Sequence, residues 1–147
     1  MHLEVSRVVN AGRDKVFAAY TDFESMPKWS KRLTSVRLVR REGDTVYLEN
    51  ETVSASGTAR KTEGKLRLTP PGKVESESEA RFTRSKRTVL FEGSQDGVGT
   101  NVTASLDVEV KGLWGYIMRS GVRKDVAEAS AAEELASFAN YVERLPG

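Results

Sequence analysis

The 147 residues, 38% of them hydrophobic and 30% charged, suffice for one domain with a sizeable core that needs neither disulfide nor structural metal. Lys and Arg number 23 against 21 Asp and Glu, a near-balance unlike the one-sided excess of a dedicated nucleic-acid binder, so no specific nucleic acid is expected as a partner. The lack of cysteine excludes disulfides, thiolate nucleophiles and Cys-type zinc sites.

The N-terminal Met1-His2-Leu3-Glu4 runs directly into alternating residues, without the basic and apolar regions of a secretion signal, and no segment approaches about 18 apolar residues in a row. A cytoplasmic, non-spanning single domain over residues 1–147 is the expectation. Leu3, Val5 and Val9 alternate as in a half-buried strand, with Arg7 on the same face. After Ala11-Gly12, Val16, Phe17, Tyr20 and Phe23 fall at helical spacing. Asp22 is placed to cap a further short turn, which Pro27 interrupts because proline has no N–H to donate and disfavours helical angles at Met26. From Leu33 to Val110 short alternating runs are punctuated by Gly43-Asp44, Ser56-Gly57, Pro70-Pro71-Gly72, Arg84-Ser85-Lys86 and Asp96-Gly97-Val98-Gly99. That predicts about six further strands joined as hairpins. Leu113 to Leu145 is Ala/Glu-rich without proline and predicts up to about 50 Å of helix.

Two strands place small polar residues where a dense core would carry Val, Ile or Leu. In "KVESESEARF" the set Val74, Ser76, Ser78, Ala80 and Phe82 alternates with Glu75, Glu77, Glu79 and Arg81, so the charged set faces water. In "VYLENETVSAS" one face runs Val46, Leu48, Asn50, Thr52, Ser54, turning from apolar to polar. These hydroxyls and the amide either line a cavity or bond locally on an open sheet face. In the terminal helix Met118, Val122, Val126 and Ala129 form one apolar row. Ala131, Ala132, Leu135, Phe138, Ala139 and Val142 form a second, rotated around the axis. A break near Gly121, a bend near Ala129 or two packing partners would reconcile them. Asp125 and Glu128 project between the rows, either toward a cavity, with Arg7 as a candidate counter-charge, or onto a solvated flank.

Catalytic motifs are sparse. His2 is the lone histidine and sits at the chain start, so no Ser/His/Asp triad or His-rich metal site can be built on it; no metal or cofactor is expected. The glycines of "GSQDGVGTNV" precede a strand and lack a P-loop lysine, which points to a hairpin and not a phosphate cradle. Lys28, Lys31, Arg32, Arg37, Arg40 and Arg41 make one segment locally basic, either a solvated face or a contact for an anionic surface such as a membrane.

The run "VSRVVNAGRDKVFAAYTDFESMPKW", followed by "VRLVRREGD", "DGVGTNVTASLDVEV" and the terminal helix, resembles the START-like helix-grip superfamily, nearest its polyketide cyclase/dehydrase and coenzyme-Q-binding branch. The resemblance implies an α+β helix-grip fold: a strongly curved antiparallel sheet of about seven strands wrapped around a long C-terminal helix, with two short helices after the first strand. It also implies a cavity between sheet and helix that binds a small hydrophobic lipid, quinone or polyketide-like molecule, with Trp29 at its entrance. An aromatase/cyclase-type enzyme is the alternative, although Leu33 falls where some such enzymes carry a tyrosine; a docking module is the third. The expected lining is Trp29, Asn50, Thr52, Ser76, Ser78 and Phe82 from the connector and sheet, and Trp114, Met118, Val122, Asp125 and Glu128 from the helix, around a cavity of a few hundred Å³.

Overall fold

The computed structural model describes residues 2–53, 57–79, 83–94, 97–110 and 124–146. Strand β1 (His2–Val9) leads through Ala11-Gly12 into helix α1 (Arg13–Thr21), then into a 3₁₀ helix (Phe23–Lys28) that contains Pro27. Six strands follow: β2 (Leu33–Glu42), β3 (Thr45–Val53), β4 (Ala59–Thr69), β5 (Lys73–Glu79), β6 (Thr83–Gly93) and β7 (Thr100–Val110). Helix α2 (Lys124–Arg144) closes the order. Hairpin geometry explains the punctuation: Gly43 and Gly97 take positive φ of 59° and 73°, a region that costs an L side chain steric strain. Arg84-Ser85-Lys86 is not a turn; it lies within β6, paired with β5 and β7, so the β5–β6 connection falls at 80–82, outside the described residues.

All seven strands form one antiparallel sheet in the order β1-β7-β6-β5-β4-β3-β2. The sheet is open, since the edge strands β1 and β2 each have one neighbour, and it is not strongly curled. This corrects the expectation of a strongly curved sheet wrapped around the helix. Helix α2 lies along β1 and touches α1, and its Glu134 reaches Arg87 of β6. Strong curvature is introduced by β-bulges, and among the described strand pairs the register shifts within β2–β3 alone, between Leu33 and Ser35 and between Leu38 and Arg40.

The register assigns each residue to a face. Looking inward, Leu68, Val74, Val89, Ala104 and Val5 form a cross-strand row of apolar residues. The next row is Val46, Leu66, Ser76, Arg87, Leu106 and Leu3, and the next again contains Leu48, Gly64, Ser85 and Val108 with Ser78 facing Ser85. The inner face thus passes from dense and apolar to small and polar. Outward, Arg67 faces Glu75, Lys65 faces Glu77, Lys86 faces both Glu77 and Asp107, and Arg84 faces both Glu79 and Glu109. Such opposite-charge pairs favour this register, each by about 0.2–1 kcal/mol. The hydrogen bond from Lys73 also holds the Glu75 carboxyl below its ordinary range.

The core sits where α1, the 3₁₀ helix and α2 meet the apolar rows. Phe91 packs edge-on against Phe17 and Tyr20, both with centroids at 5.4 Å, while Phe138 of α2 meets Tyr20 at 5.4 Å and Trp29 at 4.8 Å. Of the two apolar rows of α2, only Leu135, Phe138, Ala139 and Val142 are buried; Val126, Ala129 and Ala132 are exposed, and α2 runs without interruption through Ala129. Met118, Val122 and Gly121 lie outside the described residues. Side-chain anchors hold the assembly: Arg13 Nε donates to Phe91 O at 2.9 Å, Lys15 Nζ to Leu145 O at 2.9 Å, and Asn10 N to Glu143 Oε1 at 2.9 Å. Asp22 makes no side-chain cap to the 3₁₀ backbone; its carboxylate instead accepts from Ser25 Oγ at 2.8 Å. Truncating Phe138 to Ala is expected to destabilise the protein by about 3–5 kcal/mol, because it empties the aromatic junction between α2, α1 and the segment after the 3₁₀ helix. Glu77→Ala on the outer face is expected to cost under about 1 kcal/mol, and urea unfolding of both variants checks the contrast.

Candidate functional site: a polar-floored cavity over the middle of the sheet

The small inner rows open a cavity of about 810 Å³. Its floor is the sheet: Leu48, Asn50 and Thr52 from β3, Thr62, Gly64 and Leu66 from β4, Ser76 and Ser78 from β5, Ser85 and Arg87 from β6, and Leu106 from β7, with the charged Lys61, Glu63, Glu77 and Glu79 also bordering it. Opposite stand Tyr20 of α1, Met26 of the 3₁₀ helix, Ser30, Arg32 and Leu33 of the following segment, and Glu134 of α2. Apolar leucines and hydroxyl-bearing side chains therefore share one wall. Ser78 and Ser85 bond each other through their hydroxyls. The Asn50 Oδ1 is buried without a hydrogen-bond partner among the described residues, an acceptor that costs free energy until a donor reaches it.

One charged constellation enters the cavity. Arg87 Nη2 lies 3.7 Å from Glu134 Oε1, with the two side chains 36% and 19% exposed, so the pair bridges β6 and α2 at the boundary between core and cavity. Tyr20, buried beside them, has its phenol held above the ordinary range, chiefly by desolvation, with Arg87 opposing and Glu134 adding to the shift. Arg87 is in turn held above its usual range, first by Tyr20 and then by Glu134, against the cost of burial. At neutral pH Tyr20 is therefore a protonated donor and Arg87 a cation that pairs with Glu134.

Asn50, Thr52, Ser76 and Ser78 lie on this floor. Trp29, 5% exposed, instead belongs to the aromatic core and borders two smaller clefts against α2, of about 140 and 390 Å³; its indole Nε1 is buried without a partner among the described residues. Asp125 is exposed, and Glu128 pairs with Lys124 at 3.7 Å; neither is among the residues lining the cavity, and Arg7 is exposed. Phe82, Trp114, Met118 and Val122 lie outside the described residues. His2, also exposed, bonds Asp107 on the outer face. In the basic segment Arg37 pairs with Glu49 at 3.1 Å, Lys31 with Glu133 at 3.5 Å, and Arg40 with Glu42 at 3.0 Å while lying over the Tyr47 ring. Arg32 reaches Ser130 Oγ, and Arg41 donates to Gly43 O at 3.1 Å. Among the described residues no helix is long and apolar enough to cross a membrane.

Tyr20, Arg87, Glu134 and Gly64 were not singled out as site residues from the sequence. A signal existed for the charged pair: Arg87 and Ser85 share the parity of Val89 and Phe91, and Glu134 stands one turn before Phe138.

Residues 1–143 match the family described as polyketide cyclase / dehydrase and lipid transport. The chain belongs to that family. The fold is shared with TTHA0849 from Thermus thermophilus, at 20% identity and a TM-score of 0.79 over 97% of both chains. It is shared too with the Zhui aromatase/cyclase from Streptomyces sp. R1128, at 13% identity and a TM-score of 0.80 over 98% of this chain and 94% of the other. A START superfamily protein from Mycobacterium smegmatis aligns over 99% of both chains at 17% identity and a TM-score of 0.74. No curated protein sequence matches the chain.

The Tyr20 shift gives this family member a testable pH signature. A phenol whose folded-state pKa is raised above its unfolded value of about 10 contributes stability that is complete below pH ~10 and is lost as pH rises through the folded value. Thermal melts between about pH 8 and pH 11 are expected to show a steeper alkaline fall in melting temperature for the wild type than for Tyr20→Phe.

Proposed function

We propose that this family member binds and carries a small molecule with an apolar body and an oxygen-bearing head, a carbonyl, carboxylate or hydroxyl, in the cavity over β3 to β7. The observation that carries this reading is the composition of the cavity wall: Leu48, Leu66, Leu106 and Met26 offer apolar contact, while Arg87, Tyr20 and the serines offer donors at one side. Its volume of about 810 Å³ lies within the ~300–1,000 Å³ of small-molecule sites. Arg87 pairs with Glu134 and Ser78 with Ser85, but the five N–H groups of a guanidinium exceed what one carboxylate takes, so the wall favours a ligand that brings an oxygen acceptor.

A second reading is favoured by one observation, the grouping of Tyr20, Arg87 and Glu134. A protonated phenol beside a guanidinium is suited to stabilise the oxyanion of an enolising ketone, the kind of assistance a cyclase gives to a folded poly-ketone. Carriage remains the preferred reading because it needs only the cavity.

Anilinonaphthalene sulfonate, an aromatic body with one anionic head, provides the test. The wild type is expected to bind it with a fluorescence rise. The double variant Arg87→Gln/Glu134→Gln, which removes both charges and strands neither, is expected to bind roughly tenfold to a hundredfold more weakly, as the loss of a charge-assisted hydrogen bond implies. Equal affinity in a folded double variant would remove Arg87 from the site. Incubating the wild type with a poly-β-ketone thioester separates the readings, since an aromatic product lost in the same variant supports the cyclase.

A further inference from the structure

Gly64 occupies the middle of β4, where glycine is an unusual choice, because a strand interior gains nothing from backbone freedom and forfeits side-chain packing. Its backbone does not require glycine: the positive-φ glycines are Gly43, Gly57 and Gly97. Close approach does not require it either. A Cβ added at Gly64 would meet Leu66 Cδ1 at 3.7 Å and Asn50 Nδ2 at 3.9 Å, both ordinary van der Waals contacts with side chains. What its missing side chain leaves is room. Gly64 lines the cavity, faces Leu48 across β3, and comes next along the ladder after the Lys65–Glu77 pair, in register with Ser78.

We propose that Gly64 is a specificity-determining residue that sets how far a ligand anchored at Arg87 extends toward the β3 side of the cavity. The proposal rests on the ligand-binding reading and adds to it a limit on ligand length. Arg87 shares a cross-strand row with Ser76 and Leu66, and Gly64 is two residues along β4 from Leu66. Two inter-strand steps and two residues of rise put Arg87 and Gly64 about 12 Å apart between Cα atoms. A short acyl carboxylate held at Arg87 ends before Gly64, whereas a long one must cross it to reach Asn50 and Thr52. Any side chain at position 64 stands in that path.

Calorimetric titration of octanoate, laurate and palmitate into the wild type, Gly64→Ala, Gly64→Val and Gly64→Leu tests the proposal. Octanoate affinity is expected to stay within about twofold across the series, while palmitate affinity falls progressively and is at least about tenfold weaker for Gly64→Leu, the scale on which pockets discriminate by single methylenes. Melting temperatures are expected to hold or rise, since alanine, valine and leucine suit a strand better than glycine. Unchanged palmitate binding in a folded Gly64→Leu, or parallel loss of octanoate and palmitate, overturns the role of Gly64 while leaving the binding function in place. A wild type that binds none of the three overturns the binding function itself. If Gly64→Leu does not fold, Gly64→Val carries the same comparison of short and long chains.

Discussion

The structure depends on one aromatic junction. Tyr20 from α1, Trp29 from the end of the 3₁₀ segment, Phe91 from β6 and Phe138 from α2 meet within centroid distances of 4.8 to 5.8 Å, and four separate elements are fixed by that contact. Each aromatic brings a large buried area, and edge-on pairs add about 0.5–1.5 kcal/mol beyond it. Because the junction gathers helices over the dense rows at one end of the inner face, the remaining rows need no bulky side chains to hold the fold. The cavity follows from this division of labour: one end of the sheet is packed, the other is left to glycine, serine and threonine.

The Arg87–Glu134 pair marks the border between the two ends. A partly buried ion pair is weak evidence for stability, because desolvation of both charges offsets much of their attraction. An apolar pair of similar volume would join β6 to α2 at least as well. The position of the Arg87–Glu134 pair at the cavity wall, beside a phenol kept protonated by burial, fits a group that presents a donor to something that enters the cavity. The outer face shows the opposite use of charge, with cross-strand neighbours of opposite sign in ordinary solvated pairs.

Much of the architecture is legible in the chain. The alternation of Leu3, Val5 and Val9, the helical spacing of Val16, Phe17 and Tyr20, and the glycine turns at Gly43 and Gly97 report local periodicity and backbone angles, and the elements lie where those signals fall. Sheet curvature is not a local property. It depends on where bulges shift the pairing, and those shifts, like the row of Gly64, Ser78 and Ser85, become visible only once the register is known. The Arg84-Ser85-Lys86 run was misleading for a related reason: a polar triplet resembles a turn, yet here Arg84 and Lys86 answer Glu79 and Glu77 within the ladder. Arg87 and Glu134 are 47 positions apart by their numbers and belong to different elements, so their pairing is a tertiary fact; Asp125 and Glu128 stood out on helical geometry alone but lie toward solvent or pair within the first turns of α2.

The claim on which the account turns is that the small, polar part of the inner face receives a ligand. Amide chemical-shift mapping during a laurate titration of isotope-labelled protein tests it most directly. The account predicts that the perturbed amides cluster around Leu48, Gly64, Ser76, Ser85, Arg87 and Leu106 and leave the β1 edge near Ser6 and Val8 unchanged. Perturbations confined to the clefts beside Trp29 and α2 would contradict it.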